Sequence, residues 1–269
     1  MKLKSPYLLK PGRKVHLDRL STKPGHVTED KATADAELQA HRDTLIKLQD
    51  VLYAGQQHAM LIVLQGMDTA GKDGTIRHIF SGINPQGCDV AAFKVPTPLE
   101  AKHDFLWRIH AAVPPRGMIG IFNRSHYEDV LSPRVHKLIT QKEVRRRLDD
   151  INDFEQMLAR NNVTILKFFL HISHEEQTAR LTSRIAEPDK QWKLSEADFK
   201  ERRFWPQYTA AYEELLAHTS RKHAPWFVIP ADDKWYRNLA ISQVLVEAMK
   251  SLKMHYPKSS IDPTKFKLE

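Results

Sequence analysis

Short runs of apolar residues alternate with segments of helical periodicity along most of the chain. The first run, Ala59 to Leu64, is apolar at every position, which is the pattern of a strand buried on both faces. Four further runs predict strands at 88–95, 117–122, 163–172 and 225–230. Before the first run, leucines recur at helical spacing between residues 34 and 53. The pattern therefore predicts an amphipathic helix followed by the first of five buried strands.

Capping residues mark helix starts between the predicted strands. A capping box pairs a Ser or Thr with a Glu three positions later, and each side chain bonds the backbone N–H of the other residue. The pattern occurs at Thr97 with Glu100, at Thr140 with Glu143 and at Ser173 with Glu176. We expect helices to begin at these three places, and a last helix to run from about 235 to 252.

Strands separated by helices indicate an α/β fold. Parallel neighbours in a sheet need long crossover connections, and helices supply these connections on both faces. We therefore expect a parallel sheet of about five strands flanked by helices, a frame compatible with a P-loop kinase. One such domain is predicted over residues 31–252.

The two ends and one insertion fall outside this regular pattern. Residues 1–30 are basic and interrupted by prolines, which predicts an extended arm over the protein's own surface or over a neighbouring subunit. Residues 253–269 are expected to form a C-terminal tail. Residues 187–205 are polar, basic and aromatic, and they are expected to form a mobile lid between two helices. Trp192 and Trp205 either close over a base or anchor this lid.

Composition and charge narrow the class of partner. Hydrophobic residues make up 41% and charged residues 28% of the 269, which is ordinary for a globular protein. The net charge of +8 suits an anionic partner, but it does not choose among nucleic acid, a membrane surface and a phosphorylated substrate. Cys88 is the single cysteine, so no internal disulfide forms. Because the chain shows neither a secretory signal nor an apolar stretch of spanning length, we expect a cytoplasmic protein without a membrane partner.

A glycine-rich segment follows the first predicted strand and precedes a helix. It runs Gly66-Met-Asp-Thr-Ala-Gly-Lys-Asp-Gly74, and its glycines let backbone N–H groups approach phosphate oxygens. The helix N-terminus adds positive potential, and Lys72 supplies a mobile charge for bridging phosphates. A Ser or Thr that binds Mg²⁺ usually follows this lysine, whereas here Asp73 follows it. The predicted phosphate-binding positions are Gly66, Ala70, Gly71, Asp73, Gly74 and Thr75.

Charged side chains near this loop predict a metal-assisted phosphate site. Asp68 lies inside the loop, where it either binds Mg²⁺ or orients the attacking oxygen, unless it only shapes the loop. A second polar group follows the strand at 117–122 and comprises Asn123, Arg124, Glu128 and Asp129. Ligands of open α/β sheets bind at the carboxyl ends of the strands, so we expect this group to face the same ligand.

Three segments together resemble the polyphosphate kinase type 2 family. They are the loop at 66–74, the segment Phe-Asn-Arg-Ser-His-Tyr-Glu-Asp-Val-Leu at 122–131, and Arg184 with Pro-Asp-Lys-Gln-Trp-Lys at 188–193. The resemblance implies a thymidylate-kinase-like core that moves phosphoryl groups between inorganic polyphosphate and nucleotides with Mg²⁺. It also implies a homo-oligomer, either a dimer or a tetramer.

The resemblance assigns roles by motif position. Asp68 and Lys72 match the acid and the lysine of the family's loop. Arg124 matches the arginine after the second element, and Arg184 matches the lid arginine that contacts the transferring phosphate. Positioned cations of this kind stabilise charge that accumulates on a migrating phosphoryl group.

One pair of positions departs from the common family pattern. Many members have Asp at the position of Asn123 and Asn at that of Glu128, so this chain exchanges the carboxylate and the amide. Glu128 and Asp68 are therefore the expected ligands of Mg²⁺, or of Mn²⁺ in its place. The exchange resembles members that accept nucleoside mono- and diphosphates, so AMP and ADP are expected acceptors, with adenine or guanine as the base.

The remaining basic residues have two interpretations. Five of them either line a channel for the polyanion or are solvated surface charges: Lys94, Lys190, Lys193, Arg202 and Arg203. Rival functions are an ATP-dependent nucleoside or nucleotide kinase, a regulatory P-loop relative, and a non-catalytic protein that binds nucleic acid or another polyanion. The missing hydroxyl after Lys72 and the basic lid favour polyphosphate over ATP as donor. No zinc-ligand spacing or helix-turn-helix pattern supports a nucleic-acid partner.

Overall fold

Five parallel strands form one sheet in the computed structural model, which describes residues 3–25, 31–262 and 265. The strands are β1 (Ala59–Gln65), β2 (Cys88–Ala92), β3 (Ile119–Asn123), β4 (Val163–His171) and β5 (Trp226–Pro230). Their order across the sheet is β2-β3-β1-β4-β5, and every neighbouring pair is parallel. The predicted α/β class with a parallel sheet is confirmed.

Helices cover this sheet. They are α1 (Lys31–Gly55), α2 (Lys72–Ile79), α3 (Trp107–Ala111), α4 (Glu128–Val135), α5 (Gln141–Arg160), α6 (His174–Ala186), α7 (Glu196–Arg202), α8 (Trp205–Thr219) and α9 (Lys234–Ser251). Thr140 and Ser173 cap α5 and α6 by accepting the N–H of the residue three positions later. None of the helices in the described ranges is long and apolar enough to cross a membrane.

Two predicted elements are shorter than the sequence pattern suggests. Strand β2 ends at Ala92 instead of Val95 because its pairing partner β3 ends at the facing residue, Asn123. The capping box at Thr97 and Glu100 makes both of its hydrogen bonds, but only a 3₁₀ turn, Glu100–Lys102, follows. Capping fixes where a helical turn begins and does not fix how long the helix becomes.

The central position of β1 places its carboxyl end among the ends of its neighbours. All seven residues of β1 are buried, because β3 and β4 flank it and helices cover both faces. Leu64 is paired with Asn123 of β3 on one side and with Phe168 of β4 on the other. The loops that leave these strands therefore start side by side at one edge of the sheet.

The N-terminal arm, in its described part 3–25, lies along β5 of the same chain. Leu8 forms an antiparallel bridge with Phe227, and the N–H of Val228 donates to the carbonyl of Tyr7 at 2.9 Å. Residues 1–2 and 26–30 of the predicted arm, and 263–264 and 266–269 of the predicted tail, lie outside the described residues. The arm pairs with a strand edge that otherwise presents unpaired backbone groups.

Candidate active site

The glycine-rich loop joins β1 to α2, as its sequence context predicts. Gly71 precedes the helix with a φ of 102°, in the left-handed region that favours glycine. A Cβ at Gly66 would lie 2.8 Å from the carbonyl oxygen of Leu170, so a larger residue does not fit there. Close packing therefore explains the glycine at position 66, and the left-handed turn explains the glycine at position 71.

Lys72 is the first residue of α2, and its side chain reaches back into the glycine-rich loop. Its Nζ donates to the carbonyl of Gly66 at 3.0 Å, and the side chain is buried. Burial lowers the pKa of Lys72, and the positive charge of Arg124 lowers it further, while Asp68 and other carboxylates oppose the shift. The loop thus holds a cation that is poorly solvated and surrounded by further charges.

The strand-end arginine and the loop acid contact each other directly. The guanidinium of Arg124 donates to a carboxylate oxygen of Asp68 at 2.8 Å. Arg124 has a φ of 64°, a left-handed conformation that is uncommon outside glycine and that turns the chain sharply after β3. Burial lowers the pKa of Arg124, but the carboxylates of Glu128 and Asp68 outweigh burial, so its pKa lies above the ordinary value.

Glu128 and Asp73 complete this group at the sheet edge. Glu128 is the first residue of α4 and accepts a hydrogen bond from the amide of Gln65 at 3.2 Å. Asp73 accepts one from the amide of Asn123 at 2.6 Å, which ties α2 to the end of β3. The Asp in place of the usual hydroxyl residue therefore has a local structural role.

An arginine that precedes the predicted lid and an acid within it contact each other. The predicted lid region, 187–205, folds into a 3₁₀ helix, Pro188–Lys193, followed by α7. Arg184 on α6 donates to Asp198 on α7 at 3.2 Å. Partial burial raises the pKa of Asp198, and the negative charge of Asp68 raises it further. Asp198 is not among the site residues predicted from the sequence, because an acid within a basic segment does not show where its carboxylate will point.

The other predicted phosphate-binding residues lie in different settings. Asp129 pairs with Arg108 at 2.9 Å and so is already neutralised. Thr75 is buried and its hydroxyl donates to the carbonyl of Gly71. Ala70 is buried, and Gly74 lies in the first turn of α2. Lys94 and Arg203 are exposed. Lys190 pairs with Glu187, and Lys193 lies over the ring of Trp192. Among the described residues, these four cations make no hydrogen bond or ion pair with Lys72, Asp68 or Arg124.

Two arginines that the sequence analysis missed hold the outer side of the loop. Arg180 donates to the carbonyls of Thr69 at 2.9 Å and Ala70 at 3.0 Å. Arg237, which is buried on α9, donates to the same carbonyl of Ala70 at 3.2 Å. Burial, followed by the charge of Arg180, lowers the pKa of Arg237 to about 10. Because these guanidinium groups bind carbonyl oxygens of the loop, they fix the conformation of its backbone.

Replacing Arg180 by Gln is expected to lower kcat/KM by about 10²-fold, the cost of a small misplacement of catalytic groups. The change removes four hydrogen bonds from Arg180 to the carbonyls of Thr69, Ala70, Ala231 and Asp232. Steady-state kinetics and thermal unfolding should be measured beside Arg145→Gln, an exposed arginine on α5. Activity of R180Q equal to that of the control would contradict this role.

A fully buried polar cluster lies directly beneath the strand-end segment. Glu155 on α5 contacts Lys167 on β4 at 2.5 Å, and the hydroxyl of Tyr127 donates to Glu155 at 2.8 Å. The ring of His126 lies 3.2 Å from the same carboxylate. Burial lowers the pKa of Lys167 to about 8, although Glu155 opposes the shift. His126 and Tyr127 therefore anchor the turn between Arg124 and Glu128 and do not face substrate.

A glycine-rich loop between the central strand and a helix, with a buried lysine and two arginines beside it, defines a P-loop phosphotransferase. The family model described as Polyphosphate kinase 2 (PPK2) matches residues 28–257. The chain belongs to the polyphosphate kinase 2 family.

Several individual proteins are similar to this chain over most of its length. It is 46% identical to the ADP-polyphosphate phosphotransferase of Rhodopseudomonas palustris, an alignment that covers 97% of this chain and 94% of the relative. It is 51% identical to the AMP/ADP-polyphosphate phosphotransferase of Meiothermus ruber, with 84% of each chain covered. The crystal structure of polyphosphate kinase 2 from Arthrobacter aurescens TC1 superposes with a TM-score of 0.93 at 41% identity, covering 97% of this chain and 95% of that chain.

Proposed function

We propose that this protein transfers phosphoryl groups between inorganic polyphosphate and nucleotides, forming ATP from ADP and ADP from AMP. The observation that carries the proposal is the grouping of Lys72, Asp68 and Arg124 at the carboxyl edge of the sheet. The names of the Rhodopseudomonas and Meiothermus relatives support the donor and the acceptors. We keep the absence of a nucleic-acid partner as a prediction.

Phosphoryl transfer depends mainly on positioning the two substrates and on stabilising the negative charge of the migrating group. Lys72 and Arg124 stabilise negative charge on the migrating phosphoryl group and on the bridging oxygens. Arg184, on α6 and in contact with Asp198 of the predicted lid, adds a third cation. The atom of AMP or ADP that accepts the phosphoryl group is an already ionised phosphate oxygen, so no strong general base is needed. Closing the lid excludes water, which would otherwise compete as the acceptor.

The site also fits a divalent cation. Asp68 and Glu128 each use only one carboxylate oxygen in hydrogen bonds to the described residues. With Asp73 and Asp198, they place four carboxylates against the three cations Lys72, Arg124 and Arg184. Phosphates entering this site need additional positive charge, and carboxylate oxygens are ligands that Mg²⁺ prefers. We propose that Asp68 and Glu128 hold Mg²⁺, or Mn²⁺ in its place, which neutralises phosphate charge.

Chelation should therefore abolish transfer. With EDTA in excess over all divalent cations, ATP formation from polyphosphate and ADP is expected to fall to the background of an enzyme-free reaction. Added Mg²⁺ should restore the full rate, and Mn²⁺ should restore part of it. Full activity in EDTA would contradict the proposed role of Asp68 and Glu128.

The exchange at Asn123 and Glu128 bears on the choice of acceptor. Reversing it in the double variant N123D/E128N is expected to lower kcat/KM for AMP relative to ADP by about tenfold, within the range that one altered contact supplies. The comparison uses adenine and guanine nucleotides, with polyphosphate as donor. An unchanged ratio of AMP to ADP rates would remove this pair as the determinant of the acceptor.

The donor separates this proposal from an ATP-dependent nucleoside kinase. ATP formation from ADP is measured by luciferase with polyphosphate as the sole other phosphate compound, and nucleoside phosphorylation by ATP is measured separately. The proposal predicts the first reaction without the second. Nucleoside phosphorylation by ATP, with no reaction from polyphosphate, would overturn it. A homo-oligomer in the cytoplasm stays a prediction, and light scattering on the purified protein would measure the oligomer.

A further inference from the structure

A cavity of about 390 Å³ lies between the N-terminal arm and the end of β5. Lys10, Arg13, Lys14 and Lys23 line it, and all four are exposed. Val15 and Pro230, both buried, contribute to its apolar wall. Among the described residues that line the cavity there is no Asp or Glu, so the charge these residues contribute is of one sign.

Two Lys-Pro-Gly sequences carry cations to the cavity. Lys10 precedes Pro11 and Gly12, and Lys23 precedes Pro24 and Gly25. Pro11 and Gly12 form a turn, and Gly12, with a φ of 73°, uses the left-handed conformation that glycine tolerates. The turn brings Lys10 to the same cavity as the following basic pair, Arg13 and Lys14. Four of the arm's seven Lys and Arg residues therefore lie at one place.

These four cations form no ion pair with any acid in the part of the chain that the structure describes. In the described ranges, no carboxylate lies within ion-pair distance of Lys10, Arg13, Lys14 or Lys23. Like charges around one cavity repel each other, and apolar walls strengthen their field. The arrangement costs stability in isolation and becomes favourable when an anion of several charges enters.

The cavity is connected to the phosphate-binding loop through short contacts. Thr22, beside Lys23, accepts the N–H of Asp232 at 3.0 Å and donates its hydroxyl to the Asp232 carboxylate at 2.7 Å. The carbonyl of Asp232 accepts from Arg180 at 2.8 Å, and Arg180 also binds the loop carbonyl of Thr69. The arm is thus held to a residue that positions the catalytic loop.

We propose that this cavity is a second anion site, separate from the Lys72 site, that binds a condensed phosphate chain. For the identity of that chain the proposal rests on the proposed function. Inorganic polyphosphate and the triphosphate of a nucleotide share this chemistry, and inorganic polyphosphate is the longer and more highly charged of the two. A long chain that engages both sites gains affinity through effective concentration, whereas a short chain engages one site only.

The test compares two triple variants that each remove three positive charges. The first is K10Q/R13Q/K14Q in the arm, and the second is the control K142Q/R145Q/R160Q on the exposed face of α5. Fluorescence anisotropy measures binding of end-labelled polyphosphate of about a hundred units and, separately, of a labelled ATP. Both are measured in proteins that also carry K72M, which weakens the Lys72 site. Lys23→Gln, in the second Lys-Pro-Gly sequence, provides an independent variant.

The arm variant is expected to raise Kd for the long chain about tenfold, and K23Q by a smaller factor, while the control changes it less than about twofold. In enzymes that retain Lys72, KM should rise for long chains much more than for tetraphosphate. Loss of ATP binding with long-chain binding retained would assign the cavity to a nucleotide triphosphate. Equal binding of both ligands by the arm and control variants would overturn the proposal. Binding needs no turnover, so failure of phosphotransfer alone would count against the proposed function and not against this site.

Discussion

Replacing Lys72 by Met is expected to lower kcat/KM for polyphosphate and ADP by about 10²–10³-fold, the range for loss of one positioned charge-stabilising group. Lys72 lies inside the loop, bonded to the carbonyl of Gly66, with Asp68 and Arg124 beside it. Met keeps the length and apolar stem of the side chain but removes its charge. The measurement is initial-rate kinetics with both substrates varied.

A matched substitution separates this effect from a general loss of positive charge. Lys47 is exposed on α1, and Lys47→Met removes the same charge away from the glycine-rich loop. Its kcat/KM should stay within about twofold of the original protein, as is usual for surface changes. If K72M were as active as K47M, Lys72 would have no part in the transfer.

Replacing Glu155 by Gln is expected to lower the free energy of unfolding by about 3–5 kcal/mol, because the change leaves Lys167 as a buried, unpaired charge. Both side chains are fully buried, and Glu155 is the carboxylate partner of Lys167. Urea denaturation followed by circular dichroism measures the loss. An unchanged free energy of unfolding would show that the pair does not stabilise the fold at neutral pH.

The pH dependence of the same variant gives a second test. The folded-state pKa of Lys167 is lowered from 10.5 to about 8, so the unfolded chain binds its proton more tightly than the folded chain. This group alone therefore makes stability rise with pH between about 8 and 10.5. Without Glu155, which opposes the shift, the rise should begin at lower pH in E155Q. A double variant, E155M/K167M, should recover part of the lost stability and show no such rise.

The helix starts show which features of a helix the local sequence determines. Thr140 and Ser173 each bond the N–H of the Glu three residues later, as their capping boxes predict, and long helices follow. Thr97 makes the same bond, yet only a single 3₁₀ turn follows it. A cap is a local interaction, whereas the length of a helix depends on what the segment packs against.

The candidate site likewise combines residues that the local sequence predicts with residues that only the fold brings together. Gly71 and Lys72 belong to one continuous motif, so the sequence alone predicts where they lie relative to the strand and helix. Arg180 and Arg237 reach the loop from helices more than a hundred residues away along the chain. In the sequence, a buried arginine on a helix looks like any exposed one. Their roles become visible only when the fold brings α6 and α9 against the loop.

The most direct test of the account is product analysis with purified protein, long-chain polyphosphate, Mg²⁺ and either ADP or AMP. Chromatography follows the nucleotides, and electrophoresis follows the polyphosphate chain length in the same samples. We predict ATP from ADP and ADP from AMP, matched by shortening of the chain, with both changes lost in K72M and in EDTA. Nucleotides and chains that stay unchanged, in a folded protein supplied with Mg²⁺, would contradict phosphoryl transfer from polyphosphate at the Lys72 site.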